Sequence, residues 1–492
     1  MNELNTRCYA QLRDAIPDAC ALIESSQGDL ALRDYAASLR PSPVTPLQDG
    51  EDLIALTEAE AARIWSPAVG AALRRELEDR FMALTANHHG VDFHPEFLQG
   101  DMLIAQGCKH AVPLFACGGV PCNNMSFPRG ILLPPKSMDT TLPGRYAALP
   151  VGDRHAFVST QIPFTEALIR KSVGAAERAL KAGELTPVEH AFIDRMLKEI
   201  YLHPDVLKQS RFRDQMSAAN ALMWLSLAAP DLELPPLVSL ELQQLCGQLI
   251  AADLLKADTL MHDIVLEPQL CEAIFRCLNG YRSCWTAEGD QITRGSFLFW
   301  AMDEKGRGHA LLPDFAAHEL YAPRRPDLRF RLEAEEISAA LKAEKLLPSL
   351  YLTFTAASLI RGLSCAGGVF QYAYLPAMQQ GTAEALRLCS DSRADKLAAN
   401  CPLGAGFHVF MAPDANGMAH AAGPLDIMNH GGISAEEWQA FGSVTLREAF
   451  LCAAPFEYED ILPAALKPEG WLDAMRTPAP VLLAARQGFS HA

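Results

Sequence analysis

FMALTANHHGVDFHPEFLQGDMLIAQGCKHAVPLFACGG (Phe81–Gly119) is the stretch whose reading decides the fold. It opens on the apolar run FMALT, of strand length, and closes on a second, AVPLFACG. Between them, EFLQGDMLIAQG has apolar residues at helical spacing. Strand, turn, helix, strand is the order of a parallel α/β unit. The turns NHHG and GGVPCNN then follow the carboxyl ends of two strands, where open α/β sheets bind ligands.

Working outward, residues 1–80 read as a helical N-terminal segment. TEAEAARIWSPAVGAALRRELED alternates charge and apolar residues at helical spacing, and Thr57 with Glu60 has the spacing of a capping box. Residues 81–162 form the first half of an α/β core. Residues 163–285 read as a large helical insertion, interrupted by Pro230, Pro235 and Pro236. Residues 286–492 hold the second half of the core and a turn-rich C-terminal region. There SFLFWAMDEKGRGHALLP (Ser296–Pro313) reads as a β-hairpin, and LLPSLYLTFTAASLIRGLSCAGGVFQYAYLP as a further α/β segment turning at Gly367 and Gly368.

A chain of 492 residues, 49% hydrophobic and 21% charged, can bury a large core. Its net charge of −17 argues against a nucleic-acid partner. The densest basic run, APRRPDLRFR (Ala322–Arg331), is expected to be a solvated loop. No apolar run reaches the ~18 residues of a membrane span, so no membrane partner is expected. The chain opens on polar MNELNTRCYAQLRD, and its 13 cysteines are odd in number and dispersed, which points to reduced thiols in a cytoplasm.

Imidazole concentrates in the first turn. His88, His89 and His94 with Asp92 are the candidate catalytic groups, since imidazole titrates near neutral pH. Thr85, Asn87 and Gly90 would shape a turn that binds an anionic group. A metal site on the same histidines is the alternative, although their spacing is not the i, i+4 helical pair. Cys117 and Cys122, a C-x4-C pair with Cys108 and His110 nearby, have no second pair that would complete a zinc site. HGGIS (His430–Ser434) reads as a turn. The nucleotide and hydrolase signatures G-x-G-x-x-G, G-x-x-x-x-G-K-[ST], G-x-S-x-G and H-E-x-x-H are all missing from the sequence.

TANHHGVDFHP resembles T-G-Q-Q-x-G-L-F-x-G-P, the pattern of the cysteine-adding enzyme of bacillithiol biosynthesis. Thr85, Gly90 and Pro95 fall on matching positions, and Asn87 and His88 replace the two glutamines. AVPLFACGGVP resembles that family's second core strand, and LFWAMDEKGRGHALLP its strand–turn–strand. LPSLYLTF…SCAGGVFQYAYL resembles its P-x-x-x-Y/F-x-G-G-x-x-E-x-x-Y region, with Gln371 near the acidic position. The resemblance implies a Rossmann-like core, related to HxGH-type nucleotidyltransferases, with helical insertions. It also implies that the Asn87–Gly90 turn is the substrate or nucleotide site, whereas GGVPCNN departs from the family's acidic run at that place. The candidate binding residues are therefore Thr85, Asn87 and Gly90 of the first turn, Asn123 and Asn124 at the end of the second strand, and Gly367, Gly368 and Gln371 on the opposite wall.

The expectation is a cytoplasmic biosynthetic ligase or transferase that joins an amine or thiol to a small acid. Its cofactor is left open between ATP or another adenine nucleotide and a divalent metal, and homo-oligomers are left open too. The alternatives are a metal-dependent hydrolase or oxygenase and a non-catalytic scaffold.

Overall fold

In the computed structural model, the described residues are 3–39, 46–123, 130–135, 137, 139–149, 151–397, 403–404, 409–413 and 419–483. Five strands make the central sheet: β1 (Met82–Leu84), β2 (Val112–Ala116), β3 (Leu237–Glu241), β4 (Ser364–Gly367) and β5 (Leu403–Gly404). They lie in the order β5-β4-β1-β2-β3, and every pairing is parallel. Leu84 of β1 faces Leu114 of β2 on one side and Ala366 of β4 on the other. The chain winds outward from β1 through β2 to β3, then returns to the opposite side of β1 for β4 and β5. That reversal defines a Rossmann-like, doubly wound α/β core with its switch point between β1 and β4.

The strands are short and apolar because both faces are covered. Met82, Leu84, Val112, Leu114, Leu237 and Ala366 join one hydrophobic cluster. Their alternates Ala83, Phe115, Val238, Leu240 and Cys365 join another. The first face is covered by the helices Pro95–Ala105 and Phe212–Leu225. The second is covered by Glu51–Ile64, Pro67–Arg80, Leu242–Asp253 and Gln371–Leu388.

The N-terminal segment is helical as expected, with helices Glu3–Ala15, Pro17–Glu24, Leu32–Ser38, Glu51–Ile64 and Pro67–Arg80. Thr57, however, caps nothing. It is buried mid-helix with its hydroxyl donating to Ile54 O at 2.9 Å, because Glu51 and Asp52 already supply the acidic first turn. The expected insertion is not continuous either. β3 lies inside it, introduced by Pro235 and Pro236 and followed at once by a helix. A five-residue apolar run cannot be told from a helical segment by periodicity alone. One set of helices, Glu166–Lys181 to Phe212–Leu225, therefore connects β2 to β3, and another lies between β3 and β4.

The Ser296–Pro313 hairpin forms, with Phe299–Met302 antiparallel to Gly308–Ala310. Ala322–Arg331 is not a loop. Arg325–Arg331 is a strand paired with Glu319–Ala322, and its alternate side chains reach solvent, so a charged composition suits it. No helix among the described residues is long and apolar enough to cross a membrane.

Candidate functional site

The switch point is built from the carboxyl ends of β1 and β4. Thr85 continues β1, its N–H donating to Ala366 O at 2.7 Å and its hydroxyl to the same oxygen at 3.1 Å. Gln371, at the start of the helix after β4, is 1% exposed. Its Nε2 donates to Thr85 Oγ1 at 3.0 Å and to Cys365 O at 3.0 Å, and its Oε1 accepts from the Tyr374 hydroxyl at 3.1 Å. Gly367 is required by this clamp, for a Cβ there would lie 2.1 Å from the Gln371 side chain. A Cβ on Gly368 would meet Glu96 Oε1 at an ordinary 3.6 Å.

The NHHG turn is held by backbone. Cys117 N donates to Asn87 O at 3.0 Å and His89 N to Cys117 O at 2.8 Å, extending the β1–β2 pairing past both strands. Gly90 is buried and does not use the left-handed backbone. A cavity of about 250 Å³ opens over this junction, walled by residues that follow β1, β2, β3 and β4. Thr85 and His88 line it, and the His88 ring lies edge-to-face with Phe97 at 6.3 Å.

The three other candidate catalytic groups face the interior. His89 is fully buried, with Nε2 2.8 Å from Arg213 O, and burial lowers its pKa to about 4. His94 caps the helix Pro95–Ala105 by accepting from Glu96 N at 3.2 Å. Its ring packs between Phe97 and Phe456, and burial lowers its pKa to about 4. Asp92 is buried against Asn87, whose Nδ2 donates to it at 2.7 Å, and burial raises it to about 6. His88 and His94 thus share Phe97 as a neighbour, while the His89 ring points to Arg213. Among the described residues no group of three or more His, Cys, Asp or Glu side chains could hold a metal ion.

Asn123 is exposed, its carbonyl accepting from Arg145 at 3.3 Å, and it does not line the cavity; Asn124 lies outside the described residues. Cys117 lines the cavity, whereas Cys122 lies 3.6 Å from Gln161 Nε2 with its thiol pushed up to about 11 by burial. That is a protonated thiol rather than an activated nucleophile.

Sequence reasoning missed Gln243, Arg294, Trp300, Ser349 and Tyr374, all on the cavity wall. Tyr374 carried a signal: three residues after Gln371, it falls on the last position of the quoted G-G-x-x-E-x-x-Y pattern. Arg294 and Trp300 come from hairpins between β3 and β4, and no local pattern marks them.

The electrostatics of the two sides differ. Glu241 at the end of β3 accepts from Gly118 N at 2.7 Å and from Gln243 N and Gln244 N at 3.2 and 2.8 Å. Glu241 thus already caps the helix Leu242–Asp253 and also holds the Gly118 amide after β2. The helix Gln371–Leu388 begins beside Gly368 with no side-chain cap. Arg282 stacks on its N-cap residue Phe370 at 3.4 Å, and Arg294 reaches the cavity from the same side. The β4 side of the crevice thus has an uncapped helix start and two arginines, with Glu96 close to Gly368 and its pKa raised to about 8 by burial.

Compared with family models, with curated proteins and with solved structures, the chain returns no match.

Proposed function

We propose that this crevice binds an anionic small molecule, an adenine nucleotide such as ATP or a small acid, and that the protein is a ligase or transferase of small-molecule biosynthesis. In this reading it joins an amine or thiol to that acid. The observation that carries it is the cavity at the switch point, with one imidazole, His88, facing one arginine-bearing wall. Phosphate or carboxylate oxygens would sit toward Arg294 and the uncapped start of the helix Gln371–Leu388. His88 would then stabilise or exchange a proton with the reacting group. Trp300, Leu350 and Tyr374 offer apolar surface for the ligand's body. His89, Asp92 and His94 support the turn from behind.

The test is a thermal-shift titration with ATP, ADP and AMP, with and without magnesium, on the parent and His88→Ala. A ligand at a hundred times its dissociation constant adds about 2.7 kcal/mol of stability. A saturable shift that His88→Ala loses, while the unliganded melting temperature stays within a few degrees, supports the proposal. No shift with any nucleotide removes the nucleotide from it.

A further inference from the structure

Behind the NHHG turn, away from the cavity, lies a polar group that the proposed chemistry does not use. Asn87, Asp92, Asp101 and Asn220 are each 1% exposed or less. The Asn87 Nδ2 donates to Asp92 Oδ2 at 2.7 Å and lies 3.4 Å from Asp101 Oδ1, so one amide faces two carboxyls. Asp92 N donates to Asn220 Oδ1 at 3.2 Å, which ties the turn to the helix Phe212–Leu225. Among the described residues neither carboxyl has a cationic partner. Asp101 Oδ2 and Asn87 Oδ1 are buried with no hydrogen-bond partner among the described residues, two acceptors left over, while the Asn220 side chain also bonds to the Asp92 carboxyl.

Two ionised carboxylates cannot share a dry interior without a cation, because Coulomb repulsion there is only weakly screened. One amide cannot neutralise them. The pair must keep a proton, and that proton satisfies one of the leftover acceptors. We propose that Asp101 and Asp92 share one retained proton, and that this singly charged pair, acting through Asn87, is the device that positions His88 over the cavity. The link is short. The Asn87 side chain holds the pair, its backbone carbonyl holds Cys117 N at 3.0 Å, and His88 is the next residue. Asp101 is thus a positioning residue: it lies one layer below the crevice and touches nothing bound there. The proposal rests on His88 being the working imidazole of the crevice.

Burial raises the pKa of both carboxyls, Asp101 the further, with Asp92 adding to its rise, which agrees with the proton residing mainly on Asp101. The experiment needs no ligand, so it stands or falls separately from nucleotide binding. Infrared difference spectra at pH 7, parent minus Asp101→Asn, should show one protonated-carboxyl C=O band that shifts in heavy water. Selectively labelled histidine NMR, with His88 assigned by its loss in His88→Gln, should show one ring resonance in the parent. That resonance should persist in Asp101→Asn, which keeps a neutral donor of the same shape, and move or split in Asp101→Ala. Should Asp101→Ala not fold, Asn87→Ala takes its place: the carboxyl band stays while the His88 resonance moves. Absence of the band overturns the shared proton. An unmoved His88 resonance in the truncation that folds overturns the positioning role.

Discussion

Replacing Gln371 by glutamate turns one buried donor into an acceptor and leaves the rest of the side chain in place. In the parent, Nε2 donates to Thr85 Oγ1 and to Cys365 O, both at 3.0 Å. A carboxylate can recover the first contact if the Thr85 hydroxyl turns toward it. It cannot recover the second, where two acceptors would face each other at 1% exposure. The new carboxyl therefore takes up a proton, and its pKa rises above the ordinary value of about 4.3. A rise of about two units costs about 2.7 kcal/mol at pH 8, at 1.36 kcal/mol per unit. The sign follows from linkage. The folded state binds the proton more tightly than the unfolded state, so the protein is least penalised below the unfolded pKa and loses stability as pH rises through the folded one. At pH 5 the same shift costs only about 1 kcal/mol. Urea unfolding of parent, Gln371→Glu and Gln371→Ala at pH 5 and pH 8 reads this directly. Gln371→Ala should lose about 3 kcal/mol at both values, from three hydrogen bonds at about 1 kcal/mol each. A Gln371→Glu penalty that is equal at the two pH values, or larger at pH 5, would refute the donor assignment and with it the clamp between β1 and β4.

Arg361 has a fully buried side chain bound to Asp52 at 2.7 Å and Asp253 at 2.9 Å, so Arg361→Ala strands Asp253 in the interior; urea unfolding should show a loss of about 3–5 kcal/mol. His89 is neutral because burial lowers it to about 4, so the stability it contributes is present above about pH 6.5 and is lost as pH falls toward 4; His89→Gln should flatten the stability profile over that window. Arg294 is exposed and its described bonds go to the Gly280 and Tyr281 carbonyls, at 2.9 and 3.0 Å. Arg294→Ala should weaken ATP binding about tenfold or more by calorimetry, while the unliganded melting temperature stays within a few degrees.

The core was legible because it is written in local patterns. FMALT and AVPLFACG are short apolar runs bounded by turns, and both became strands of the central sheet. β3 was not legible, for LVSLE differs from a buried helical turn only in being paired to Val112–Ala116, and pairing is not a local property. The same limit divides the site. The turn NHHG could be placed at a strand's carboxyl end, yet nothing local told His88 from His89. The parallel bridge from His88 to Cys117 and the bond from His89 Nε2 to Arg213 O separate them, one ring to the cavity and the other to the interior.

Charge then decides where in the crevice a ligand's anionic end belongs. Helix starts after β3 and β4 both point there, and sequence alone makes them equivalent. Glu241 occupies the first, its carboxylate bound to Gly118, Gln243 and Gln244 amides while burial raises its pKa against the opposing pull of Arg213. An incoming phosphate or carboxylate would meet that buried acid and be repelled. The second start has no side-chain cap and two nearby arginines, neither of them ion-paired among the described residues. If the crevice takes an anionic ligand as proposed, its acidic group is therefore directed to the β4 side, where Arg294 and His88 both line the cavity.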